Sequence, residues 1–114
     1  MSHPTAAIDT NVSMPELTRV LLDIYSVSGE EKTLADAIYR AHPHLHLVRD
    51  GDAIIARTDF GPQNGQQRTR ILLAGHLDTV PLPTVAGSLG TVPSRVVEED
   101  GDWGLYGRGA TDMK

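Results

Sequence analysis

The spacing of apolar residues changes once along this chain, at Pro43, and that change fixes what it can build. Before it the period is helical. Ser13-Met14-Pro15-Glu16 has the S-x-x-E form of a capping box, with Pro15 inside the first turn, and Leu17, Val20, Leu21 and Ile24 then share one helical face. This helix is expected to stop near Ser26 to Gly29. A second S-x-x-E, Ser28-Gly29-Glu30-Glu31, is expected to start another, with Leu34, Ala35, Ala37, Ile38 and Ala41 as its stripe and Pro43 as its end. After Pro43 the period is two. Leu45, Leu47 and Arg49 alternate with His44, His46 and Val48, the turn Asp50-Gly51-Asp52 follows, and Ala53 to Ala56 completes a predicted hairpin.

The rest of the chain extends this pattern. Residues Asp59 to Thr69 read as an exposed loop, and Ile71-Leu72-Leu73-Ala74 as a short strand buried on both faces. Pro81 to Pro93 is again loop-like. Arg95 to Glu98 and Trp103 to Tyr106 flank the turn Glu99 to Asp102 as a second hairpin. The first twelve residues are polar and small and read as a loose N-terminal arm, with one domain portion over residues 13–114. Helices leading into mixed strands give an α/β layered fold.

Composition narrows the function. Ten Lys+Arg against fifteen Asp+Glu leave a net charge of −5, which disfavours nucleic-acid or anionic-membrane partners. No cysteine is present, which excludes disulfides, thiol nucleophiles and Cys-based metal sites. No membrane span or secretory signal is legible, so a cytoplasmic location is expected.

Two clusters carry chemistry. His76 and Asp78 follow the predicted strand in Ala74-Gly75-His76-Leu77-Asp78-Thr79-Val80-Pro81, at the carboxyl end where α/β sheets place ligands. An imidazole there can bind a metal while Asp78, two residues on, holds the other ring nitrogen. The same residues also suit a buried His paired with a nearby Asp. The second cluster, Gly107-Arg108-Gly109-Ala110-Thr111-Asp112-Met113-Lys114, sets a carboxylate after a tight bend. A bridging Asp can hold two divalent ions, although a Gly-rich turn with a solvated Asp–Lys pair fits equally. Other segments fit their motifs poorly. Gly104 to Gly109 has the wrong glycine order for a dinucleotide loop, and Gly87 to Gly90 lacks the Lys-Ser/Thr of a phosphate loop. His42, His44 and His46 are expected to face solvent, Glu98-Glu99-Asp100 to rim a turn, and no G-x-S-x-G nucleophile is present.

Together, the two clusters closely resemble the paired signatures of the zinc-dependent amidohydrolase family that contains aminoacylases, glutamate-releasing carboxypeptidases, acetylornithine deacetylases and succinyl-diaminopimelate desuccinylases. Ser26-Val27-Ser28-Gly29-Glu30-Glu31 is similar to that family's N-terminal segment, so the resemblance runs from about Pro15 to Lys114. Thr91-Val92-Pro93-Ser94-Arg95 and Ser28 to Lys32 lean toward the desuccinylase branch. The resemblance implies that His76 ligates one zinc ion, that Asp112 bridges it to a second, and that Asp78 is the catalytic-site carboxylate behind His76. It implies two Zn2+ ions per full-length subunit (Co2+ as an alternative), a small-molecule substrate, a mixed-sheet catalytic domain and a homodimer. The implied reaction is hydrolysis of N-succinyl-LL-2,6-diaminopimelate to succinate and LL-2,6-diaminopimelate, in lysine and diaminopimelate biosynthesis. Acetylornithine deacetylase or a peptidase of the same family is the alternative.

The family's general base and remaining ligands follow the Asp-Met-Lys at which this sequence ends, so an N-terminal portion, inactive alone, is expected. A non-catalytic truncated product and a metal-binding module closed by self-association are the competing expectations. On this reading of the site, His76 and Asp112 should converge to within roughly 4–5 Å, given zinc–ligand distances near 2 Å. Without later elements to cover it, the apolar run at Ile71 should be exposed.

Overall fold

The computed structural model describes residues 7–42, 44–58 and 69–114. Its elements, in chain order, are helices α1 (Met14–Leu22) and α2 (Lys32–Ala41), then strands β1 (His46–Asp50), β2 (Ala53–Arg57), β3 (Arg95–Glu99) and β4 (Asp102–Tyr106). The strands form two separate antiparallel pairs, β1 with β2 and β3 with β4. It is a small α/β fold.

Helix α1 starts as its sequence dictates: Ser13 Oγ accepts from the Glu16 N–H at 3.4 Å, and the Leu17 N–H reaches the Ser13 carbonyl at 2.9 Å. It ends at Leu22, earlier than the apolar spacing suggests, because tertiary contacts claim the next residues. Asp23 Oδ1 accepts from both the backbone N–H and the hydroxyl of Ser94, at 2.7 and 2.6 Å. Val27 makes a single parallel bridge with Thr79, through Thr79 N–H to Ser26 O at 2.9 Å and Ser28 N–H to Thr79 O at 3.0 Å. Ile24 is buried all the same.

The second capping box does not form. Glu31 occupies the N-cap of α2 and its side chain makes no cap bond there; its carboxylate instead accepts from the Gly29 N–H at 2.8 Å. The apolar face of α2 is as expected, with Leu34, Ala35 and Ala37 buried. Leu34 and Ala37 form a small core with Ile24, against which Ile8, Leu21, Ile38 and Leu77 pack. Ile8 thus ties down the near end of the arm, of which residues 1–6 lie outside the described residues. Arg49 holds the first hairpin to α2, with its guanidinium 2.7 Å from Asp36 and over the ring of Tyr39.

Both predicted hairpins are present. In the second, Asp100 and Gly101 have φ of 52° and 84°, the pair of positive angles that an Asp-Gly turn supplies between twisted strands. Among the described residues the expected strand at Ile71-Leu72-Leu73-Ala74 does not form, and no mixed sheet is built. No strand of the described residues lies beside this run to satisfy its backbone, so no ladder forms. Ile71, Leu72 and Leu73 are 82, 83 and 91% exposed, as expected of an uncovered apolar run. The loop expected over residues 59–69 lies almost wholly outside the described residues.

Candidate metal centre

Three segments meet at His76. The parallel bridge between Val27 and Thr79 fixes the first motif, and Ser26 Oγ reinforces it by donating to the Leu77 carbonyl at 2.8 Å. The second motif folds as consecutive turns, with Ala110 N–H to Gly107 O, Asp112 N–H to Gly109 O and Lys114 N–H to Gly109 O. Two glycines let it approach. A Cβ on Gly107 would sit 3.1 Å from Leu22 Cδ1, so this backbone rests on the end of α1. Gly109 has φ +92°, and a Cβ there would lie 2.9 Å from Thr79 Cγ2, closer than side chains tolerate. Lys114 Nζ donates to the Ile24 carbonyl, and burial pushes its pKa down to about 8.

The consequence is a short chain of side chains. His76 Nε2 lies 3.0 Å from Asp112 Oδ1, across 36 residues of sequence. On the far edge of the ring, Nδ1 lies 3.0 Å from the Asp78 carbonyl oxygen and 3.1 Å from Asp78 Oδ1. The other oxygen, Oδ2, accepts from the Ser28 hydroxyl at 2.5 Å. The hydrogen bond to the Asp78 carbonyl, and then the Asp112 carboxylate, raise the imidazole pKa above its ordinary 6.5. The Ser28 hydroxyl, followed by the charge of His76, holds the Asp78 carboxyl below its ordinary value. Asp112 is the most open of the three, with its side chain 74% exposed against 48% for His76.

All three residues singled out in the sequence therefore come together. The 3.0 Å separation of His76 and Asp112 lies within the roughly 4–5 Å expected, and near what two donors bound about 2 Å from one ion would show. The ring stands between the two carboxylates, so they face opposite edges of it. Among the described residues no group of three His, Asp or Glu donors converges on one point. His42 and His44 meet only edge to face, with ring centroids 5.9 Å apart. The sequence pattern assigned Ser28 to a helix cap and so missed its contact with Asp78. Its place in a segment resembling the same family was the one available signal.

No family model matches the chain. It is 42% identical over 103 residues, 86% of its length, to the succinyl-diaminopimelate desuccinylase of Corynebacterium glutamicum. It is 44% identical over 103 residues, 87% of its length, to a Mycobacterium tuberculosis protein provisionally given the same name. The chain is a homologue of the succinyl-diaminopimelate desuccinylases. It matches an N-terminal portion of them and spans about a quarter of the length of these curated relatives. A provisionally named LysW-lysine/LysW-ornithine hydrolase of Thermococcus kodakarensis is 37% identical over 103 residues. These relatives are hydrolases by name. None of the described helices is long and apolar enough to cross a membrane.

Proposed function

We propose that this chain carries the first part of the active site of a cytoplasmic, homodimeric, dinuclear zinc amide hydrolase, with N-succinyl-LL-2,6-diaminopimelate as substrate. The observation that carries the reading is the contact of His76 Nε2 with Asp112 Oδ1 at 3.0 Å, an imidazole and a carboxylate at ligand spacing and open to solvent. The donor chemistry fits zinc, for which neutral imidazole nitrogen and carboxylate oxygen are ordinary ligands. His76 would hold one ion through Nε2, and Asp112 would bridge it to the second. When bound, the pair supplies carbonyl polarisation and a water of lowered pKa. Asp78 accepts from Nδ1–H of His76, fixing the tautomer and raising the basicity of Nε2.

The overall reaction adds water across the amide: the C–N bond breaks, the succinyl carbon gains the hydroxyl, and the amine nitrogen gains the proton. Among the described residues no third donor joins this pair, so the general base and the other ligands would come from other parts of the full-length enzyme. By itself, the 114-residue chain should bind zinc weakly and turn over nothing, because catalytic zinc sites normally have three protein ligands. The desuccinylase substrate ranks above the alternatives, since identity is 44% to a protein so named and 37% to the LysW-conjugate hydrolase.

The test is metal-dependent release of succinate by the longest protein that the gene encodes, with N-acetylornithine as the competing substrate. Succinate release lost on His76→Ala is the expected result. Preference for acetylornithine would replace the substrate, and turnover unaffected by His76→Ala would overturn the site.

A further inference from the structure

We propose that Ser28 is a positioning residue for His76, acting through Asp78, an inference that rests on the reading of His76 as a ligand. Asp78 Oδ1 faces Nδ1 of His76 at 3.1 Å, while Oδ2 accepts from Ser28 Oγ at 2.5 Å. A carboxylate turns readily about its last torsion, which is broad and roughly two-fold. The side chain of Asp78 is 43% exposed, so packing alone does not hold that torsion. A hydrogen bond from a hydroxyl to an ionised carboxylate is of the stronger kind, and it fixes the plane from the side opposite His76.

The placement of Ser28 belongs to the site rather than to the helix. Its backbone N–H is engaged with Thr79 O at 3.0 Å, in the pairing that sets the first motif. Its hydroxyl does not cap α2, whose N-cap is Glu31. With Oδ2 held, Oδ1 stays aimed at Nδ1, the ring proton stays on Nδ1, and the lone pair of Nε2 is turned toward Asp112. Without the hydroxyl, the Asp78 carbonyl oxygen, 3.0 Å from Nδ1, is the acceptor still fixed at that edge, and Asp112 Oδ1, at 3.0 Å from Nε2, competes with it for the ring proton.

The experiment compares Ser28→Thr with Ser28→Val, two side chains of one shape that differ in the hydroxyl, together with Ser28→Ala. In the metal-free 114-residue chain, ring-nitrogen chemical shifts of His76 report the tautomer at a pH where the ring is neutral. Zinc affinity is then measured on the same samples by calorimetry. Wild type and Ser28→Thr should favour Nδ1–H. Ser28→Val and Ser28→Ala should move the ring toward Nε2–H and bind zinc about tenfold more weakly, the lower end of losses for residues behind a ligand. A tautomer shift in a chain that binds no zinc would uphold the role of Ser28 and remove the metal reading. Equal tautomers and equal zinc affinity for the Thr and Val variants would overturn the role of Ser28 and leave the metal reading standing.

Discussion

Residues 71–73 and residues 77–79 are neighbours on one stretch of chain, yet they are held in opposite ways. The first three are apolar and 82–91% exposed, with no strand of the described residues alongside. The second three are tied by backbone bonds to residues 26–28, by the Ser26 hydroxyl, and by the close approach of Gly109 to Thr79. A central strand obtains its order from neighbours on both sides and from cover on both faces. A loop cluster built from a short parallel pairing and glycine close approaches obtains it from partners within reach. The site can therefore take shape where the sheet beneath it does not.

The largest effect should come from removing the post under the second motif. Leu22 is fully buried, and its side chain touches the backbone at Gly107. Leu22→Ala should cost about 2–5 kcal/mol, the range for emptying a buried leucine site. Thermal unfolding followed by circular dichroism checks it, and a cost like that of a surface change would break the contrast. A smaller loss, about 1–3 kcal/mol, is expected for Gly109→Ala from its left-handed backbone angle, with the 2.9 Å approach to Thr79 adding to it. Its distinguishing mark is that the signals of Asp112 and Thr79 should move together in heteronuclear spectra. The smallest effect belongs to the apolar run. Leu73→Lys should change stability by no more than about 0.5 kcal/mol while reducing self-association, measured by sedimentation, because the side chain is already in water.

The same contrast explains what the sequence made legible. Both hairpins could be read, because Asp50-Gly51-Asp52 and Asp100-Gly101 carry their turn chemistry locally and the flanking alternation needs no distant partner. The start of α1 was equally local, in the bond from the Glu16 N–H to Ser13. Its end was not. The periodicity that runs on to Ile24 gives no hint that Ser94 will take the carboxylate of Asp23, or that residues 26–28 will leave the helix to meet residues 77–79. Ser28 was misassigned for the same reason: S-x-x-E describes a cap equally well whether or not a distant Asp78 competes for the hydroxyl. His76, Asp78 and Asp112 were visible because their motifs resemble those of one family in content, order and spacing. Ile71 to Ala74 has the composition of a buried strand, but composition cannot supply the neighbours that make one.

The most direct test of the account is a zinc titration of the 114-residue chain followed residue by residue in heteronuclear NMR, with His76→Ala and Asp112→Ala in parallel. The account predicts weak binding whose shifts are confined to residues 26–28, 74–81 and 107–114, with Nε2 of His76 as the bound nitrogen, and loss of these shifts in both variants. Shifts centred on His42, His44 and His46, or no response of His76 at millimolar zinc, would contradict it.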